Sequence, residues 1–188
     1  MSAPMSISTT SADSVPIESI TLADNQKVRI RPVNFSDVER ERRFILGLSP
    51  QSRRMRFLDT MNEPSEGLLR CLTHIAPDRE AALVALEGER DEIIGVARYS
   101  AGSDGSAEVA VVVSDAWQRH GIGTALMSRL IDIALQHGVK RFMSVDPNSN
   151  YGMQQFAHKL GFHGEGVPDD PTMICYTLPL LAKQSNPQ

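Results

Sequence analysis

The spacing with the clearest chemical use in this chain of 188 residues is Gln118-Arg119-His120-Gly121-Ile122-Gly123. Gly121 and Gly123 have no Cβ, so the main chain there can take a positive φ and an anion can come close to it. If Ile122 opens a helix, the first-turn amides through Thr124 are unpaired and carry the positive end of the helix dipole. A pyrophosphate suits such a cradle. The plain alternative is a glycine turn that binds nothing. Upstream stands Glu108, an acid inside the apolar run Ala107-Glu108-Val109-Ala110-Val111-Val112-Val113. Burial there would raise its pKa toward a value useful for proton transfer. The alternative is an exposed strand residue, or a partner for an arginine.

These residues need a strand before them and a helix after them. The run 107–113 is short, apolar and β-branched, bounded by Gly105-Ser106 and Ser114-Asp115, which reads as a strand. Ile122, Leu126, Leu130, Ile133 and Ala134 then recur at helical spacing, and His137-Gly138 is a usual helix stop. Two other phosphate-binding patterns fit less well. The phosphate loop needs a lysine before its Ser or Thr, and Thr124 follows Gly123 directly. The dinucleotide fingerprint needs a third glycine where Leu126 stands.

The remaining chain supplies a frame. Lys27–Pro32 alternates as a strand with one wet face. Ser36-Asp37 is expected to cap a helix carrying Val38, Phe44, Ile45 and Leu48. Ser49-Pro50 and Pro64-Ser65 open two more helical pieces. Glu80–Leu86, Glu92–Tyr99 and the Glu108 strand form a meander. Arg141–Val145 is a further strand, parallel to the Glu108 strand through a right-handed crossover. Asn150 precedes a helix closed by Gly161, and Phe162 to Leu180 holds a final strand or pair. The fold class is α/β with a mixed, largely antiparallel sheet.

Gln118-x-x-Gly121-x-Gly123 between strand and helix resembles the acetyl-CoA loop of the GNAT N-acetyltransferases, (Arg/Gln)-x-x-Gly-x-(Gly/Ala). Asn150, twelve residues before Phe162 in the Leu160-Gly161-Phe162 turn, resembles that family's second cofactor segment. Leu48-Ser49-Pro50-x-Ser52-x-x-x-Arg56-Phe57 and Ala107–Val111 look most like the catalytic domain of bacterial protein lysine acetyltransferases.

The resemblance implies a GNAT-like sheet with helices on both faces and a central strand pair splayed at the cofactor site. It implies direct acetyl transfer from acetyl-CoA to an amine. A protein lysine is the expected acceptor, with a small-molecule amine or a non-catalytic acyl-CoA sensor as the alternatives. Glu108 would be the general base and a backbone N–H around Val111 the oxyanion donor. Val111, Val112, Val113 and Asn150 would hold the pantetheine arm; plain core and a helix cap are their ordinary roles. Gln118, Arg119, His120, Gly121, Ile122, Gly123 and Thr124 would face the phosphates.

The chain departs from the family pattern at Ala157, where many members carry a tyrosine that protonates the leaving thiolate. That leaves water to protonate the thiolate, or another residue, with Tyr151 and Ser149 as candidates. It departs again at Arg119, where those relatives often have glycine.

Composition narrows the class. A 41% hydrophobic, 22% charged chain of net charge −4 is that of an ordinary globular protein without the basic character of nucleic-acid binders. Cys71 and Cys175 make no disulfide framework or metal spacing, and Cys71 reads as a small buried hydrophobe. No metal is expected. No apolar run reaches membrane length and no signal pattern opens the chain, so a cytoplasmic location is expected. Residues 1–20 read as a disordered lead-in, 21–182 as a single domain and 183–188 as a polar tail. Eight arginines fall between Arg29 and Arg56. The interleaved Asp37, Glu39 and Glu41 make a solvated helix face the default; a patch steering an acidic protein substrate is the alternative.

Overall fold

The computed structural model describes residues 18–180 apart from 23, 24, 59, 60 and 89; the ends of the chain, 1–17 and 181–188, lie outside the described residues. The elements follow the apolar periodicities. Strands β1 (Glu18–Thr21) and β2 (Lys27–Pro32) precede helices α1 (Val38–Gly47), α2 (Pro50–Phe57) and α3 (Glu66–Thr73). The meander β3 (Glu80–Glu87), β4 (Ile93–Ala101) and β5 (Ser106–Val113) leads into α4 (Ile122–Gln136). Then come β6 (Arg141–Pro147), α5 (Tyr151–Lys159), β7 (His163–Val167) and β8 (Asp170–Pro179). Strand β1 spans Glu18–Thr21, so residues 18–20 of the segment read as a disordered lead-in form a strand; the rest of that reading lies outside the described residues.

All eight strands join one sheet in the order β1-β2-β3-β4-β5-β6-β8-β7. Among the described strands only the β5–β6 pair is parallel, as the helical crossover requires. Helices cover both faces. Phe44 and Ile45 of α1 and Leu69 and Leu72 of α3 pack on Ala82, Val84 and Val96. On the other face Leu126, Met127 and Leu130 of α4 pack on Leu83, Ala97 and Val109. Gly95 permits that approach, since a Cβ there would lie 3.2 Å from both Ile122 Cγ2 and Leu126 Cδ1.

The sheet opens at one place. Strands β5 and β6 pair at Ser106–Arg141, Ala107–Phe142 and Glu108–Met143, and the ladder ends there. Beyond it β5 stays with β4 as far as Val113–Gly95, while β6 stays with β8 as far as Pro147–Met173. Each strand keeps its outer partner, so the gap between them is a feature of the backbone.

Three local expectations are corrected. Asp37 holds the N-cap position of α1 as expected, but its side chain makes no cap bond there; Asn34 caps the preceding turn, accepting from Ser36 N–H while the Asp37 carboxylate accepts from Asn34 N–H. The acids of the arginine-rich run are not solvated throughout: Asp37 is 0% exposed and Glu41 is 3% exposed. Cys71 is exposed, because α3 turns Leu69 and Leu72 inward in its place.

Candidate active site

The loop from β5 to α4 closes over the open end of the gap. Gly121 is the N-cap of α4 at φ +89°, and no side chain caps the helix. The first intrahelical bond runs from Ala125 N–H to Gly121 O, so the amides of Ile122, Gly123 and Thr124 precede the helix ladder. Arg119 also has a positive φ, +64°, a conformation that favours glycine. That is the physical meaning of the departure at this position. The Gln118 amide donates to Val113 O at 3.1 Å and ties the loop to the end of β5. His120 Nδ1 lies 2.8 Å from Gln118 O. A Cβ on Gly123 would stand 3.3 Å from the Phe156 ring, which fits α4 closely against α5.

The unpaired edge of β5 can be read from its neighbours. Ser114 N–H donates to Ile94 O and Ser106 O accepts from Gly102, so even-numbered residues face β4. With period-2 alternation and unbroken register, the main-chain groups of Val109, Val111 and Val113 face the gap. A small cleft opens there, lined by Val109, Val111, Ser144, Phe156, Ala157 and Tyr176 among others. Val111 and Val113 are half-buried against the α4–α5 core and Val112 against the α1–α3 core. Such an edge can pair with an extended amide-bearing arm.

Glu108 sits at the last rung of the β5–β6 ladder, where the strands begin to part. It is exposed, which corrects the expectation that burial tunes it. The apolar run misled because successive strand residues point to opposite faces. Behind it lies a charged cluster that sequence reasoning missed. Burial pushes the Glu41 carboxyl up to about 7, and Arg56 and Arg98 pull it only partly back. Burial and the neighbouring Arg98 lower the pKa of Arg56, against the pull of Glu41, Glu108 and Asp146. Arg56 thus shares its surroundings with the acids of both strands that flank the gap. Of the rival acids, Glu80 accepts from Ala76 N–H and Ser100, and Glu92 pairs with Arg43.

Asn150 caps α5, its side-chain oxygen accepting from Met153 N–H at 3.2 Å. Its amide nitrogen lies 3.4 Å from the buried Asp146, which also accepts from Ser144 Oγ at 2.9 Å. The spacing of Ser49 and Ser52 finds its reason in Asp115. That carboxylate accepts from Ser49 N–H at 2.8 Å and from Ser49 Oγ and Ser52 Oγ at 2.7 Å each. Burial raises the Asp115 pKa, but these donors outweigh it and hold the group below its ordinary value. Helix α2 is thereby pinned to the loop that leads into α4. A broad groove runs between α2 and the segment after β6, lined by Arg53, Arg54, Met55, Pro147, Asn148 and Thr172. Among the described residues, no group of three or more His, Cys, Asp or Glu side chains is placed to hold a metal ion. No helix there is long and apolar enough to cross a membrane.

A splayed parallel pair, a glycine loop opening a helix, and helices on both faces of a mixed sheet define the fold of an acyl-CoA-dependent acyltransferase. Comparison with known proteins agrees: the sequence model of the Acetyltransferase (GNAT) family matches residues 49–162, and the chain belongs to that family. It is 40% identical over 163 residues to acetyltransferase PA5475 of Pseudomonas aeruginosa, covering 85% of this chain and 88% of that protein. It is 32% identical over 134 residues to acetyltransferase Pat of Mycolicibacterium smegmatis, covering 70% of this chain but only 40% of Pat. The crystal structure of the GNAT domain of S. lividans PAT superposes with a TM-score of 0.80 at 25% identity, over 87% of this chain and 97% of that one.

Proposed function

We propose that this acetyltransferase uses acetyl-CoA to acetylate lysine side chains of a protein, in the cytoplasm, by direct transfer without a covalent acyl-enzyme. The observation that carries the reading is the gap between β5 and β6, with uncapped α4 amides at its mouth and Glu108 at its closed end. The Ile122, Gly123 and Thr124 amides, with the loop Gln118–Gly121, cradle the CoA pyrophosphate. The gap-facing groups of Val111, the Val113 N–H and the amide of Asn150 bind the pantetheine arm, the Val113 carbonyl being held by Gln118. The acyl group then lies beside Glu108, and Val111 N–H receives the oxyanion.

The amine must first lose a proton. With a lysine pKa of about 10.4, deprotonation at pH 7 costs about 4–5 kcal/mol. Glu108 takes that proton through one water as attack proceeds. The protein acceptor is supported by the groove beside α2 and by the likeness to Pat and PAT domains. Both cysteines are free, in keeping with a reducing compartment.

Purified protein is tested with acetyl-CoA against lysine-bearing proteins and small amines, read as thiol release with mass spectrometry of the acceptor. Release with a protein lysine is expected, and Glu108→Gln should lower kcat by about 10²–10⁴-fold with acetyl-CoA affinity unchanged. Release only with a polyamine or amino acid would replace the acceptor. Acetyl-CoA binding with no release for any amine would leave a sensor of acyl-CoA.

A further inference from the structure

The proposed reaction expels a thiolate that must gain a proton, and the α4 amides, which face the phosphates, do not supply it. Tyr151 is 72% exposed, and Ser149 is exposed as well. On the α5 wall of the cleft stands Ala157, which carries no proton. On the opposite wall stands a phenol. Tyr176 of β8 lies directly across from Ser144 of β6 and lines the same cleft as Val109 and Val111. The residue is 6% exposed, and its hydroxyl is buried with no hydrogen-bond partner among the described residues.

A buried tyrosine hydroxyl normally finds a partner, and an orphan in a native fold requires a reason. Packing alone does not supply one, because phenylalanine would fill the same space without the desolvated oxygen. The ring is also held in place from behind: a Cβ on Gly164 of β7 would lie 2.9 Å from Tyr176 Cε1, so glycine clears the room the ring occupies.

We propose that Tyr176 is the general acid that protonates the departing CoA sulfur. This rests on the acetyl-CoA reading above and completes it. As the tetrahedral intermediate collapses, the C–S bond breaks and its electron pair stays on sulfur. The Tyr176 Oη proton moves to that sulfur, leaving the CoA thiol and a phenolate. The phenolate recovers a proton, through water, equivalent to the one the tetrahedral nitrogen gives up on becoming an amide, and Glu108 releases to solvent the proton it took from the ammonium, so the protonation of the enzyme is restored. Burial and the Asp146 carboxylate raise the Tyr176 pKa, which keeps the phenol protonated at neutral pH and makes the phenolate short-lived. Asp146 on β6 is the charged group that acts on it. The cleft-lining residues of α5, Met153, Phe156, Ala157 and Leu160, do not titrate, nor does Gly164 of β7.

The test uses the full chain with the best acceptor found above. Tyr176→Phe is expected to lower kcat by about 10²–10⁴-fold with acetyl-CoA affinity kept. The alkaline fall in kcat that the wild type shows as its phenol ionises should disappear in that variant. Fluorotyrosine at position 176 keeps the shape and lowers the phenol pKa, so it should shift the alkaline limb to lower pH. That readout decides the matter even if Tyr176→Phe folds poorly. An unchanged kcat in Tyr176→Phe, or an alkaline limb that fluorotyrosine does not move, overturns the assignment while the acetyl-transfer reading stands. A wild type that releases no thiol with any amine overturns both.

Discussion

The two faces of the sheet treat their polar groups differently. Under α1–α3 the protein uses most of them itself. Asp37 accepts from both Arg31 terminal nitrogens at 2.7 Å, from Asn34 N–H at 3.0 Å and from Arg40 at 3.4 Å. Asp91 is shared between Arg29 and Arg40. On the α4–α5 face, groups of the same kind are left open: the first amides of α4, the gap-facing edge of β5 and the Tyr176 hydroxyl. Buried polar groups are destabilising unless paired. The contrast marks the β5–β6 gap and the mouth of α4 as the place where a ligand completes the fold.

The sharpest way to break this comparison is Asp37→Ala. On the scaffold side it should cost about 3–5 kcal/mol in urea unfolding, because two arginines and an amide lose their buried acceptor. The KM for acetyl-CoA of the folded enzyme should not change. A large KM effect with little loss of stability would show that the arginine network belongs to the site.

Glu41 is an exception on that face, with one carboxylate oxygen buried and unpaired, as Arg29 Nε and Arg53 Nε also are. Its carboxyl titrates near 4.5 when unfolded and at about 7 in the fold. Between those values the native state holds the extra proton, so stability is fully present below pH 4.5 and is lost as pH rises toward 7. Glu41→Gln should therefore gain on the order of 1–3 kcal/mol near pH 8 and almost nothing near pH 4. Unfolding titrations at the two pH values check this, and an equal effect at both would place the carboxyl in contact with water.

The smallest effect is expected at Arg119. Glycine there relieves a positive φ and should raise stability by about 1 kcal/mol, seen as a higher unfolding midpoint. Its guanidinium is exposed, and such ion contacts contribute about 1 kcal/mol at most, so KM for acetyl-CoA should rise less than tenfold. A larger rise would make the side chain itself a phosphate ligand.

The legibility of the chain follows the range of the forces involved. The Gly121–Gly123 loop, the α4 stripe and the Ser49-Pro50 start of α2 were readable because caps, turns and amphipathic periods are set by neighbours within a few residues. Position 119 was readable as a departure, though its strain needed the backbone angle. Glu108 was placed on the right strand and given the wrong burial, since alternation cannot tell which face a helix covers. Glu41 and Cys71 were misjudged for the same reason.

By itself the chain of residues determined the strands, the helices, the phosphate-type loop and the family resemblance, all products of local spacing. Only the tertiary structure decided that β5 and β6 part after Glu108, that Glu41 is buried beside Arg56 and Arg98, and that Tyr176 shares a cleft with Val111. Burial and convergence depend on residues far apart in sequence, and no local pattern records them.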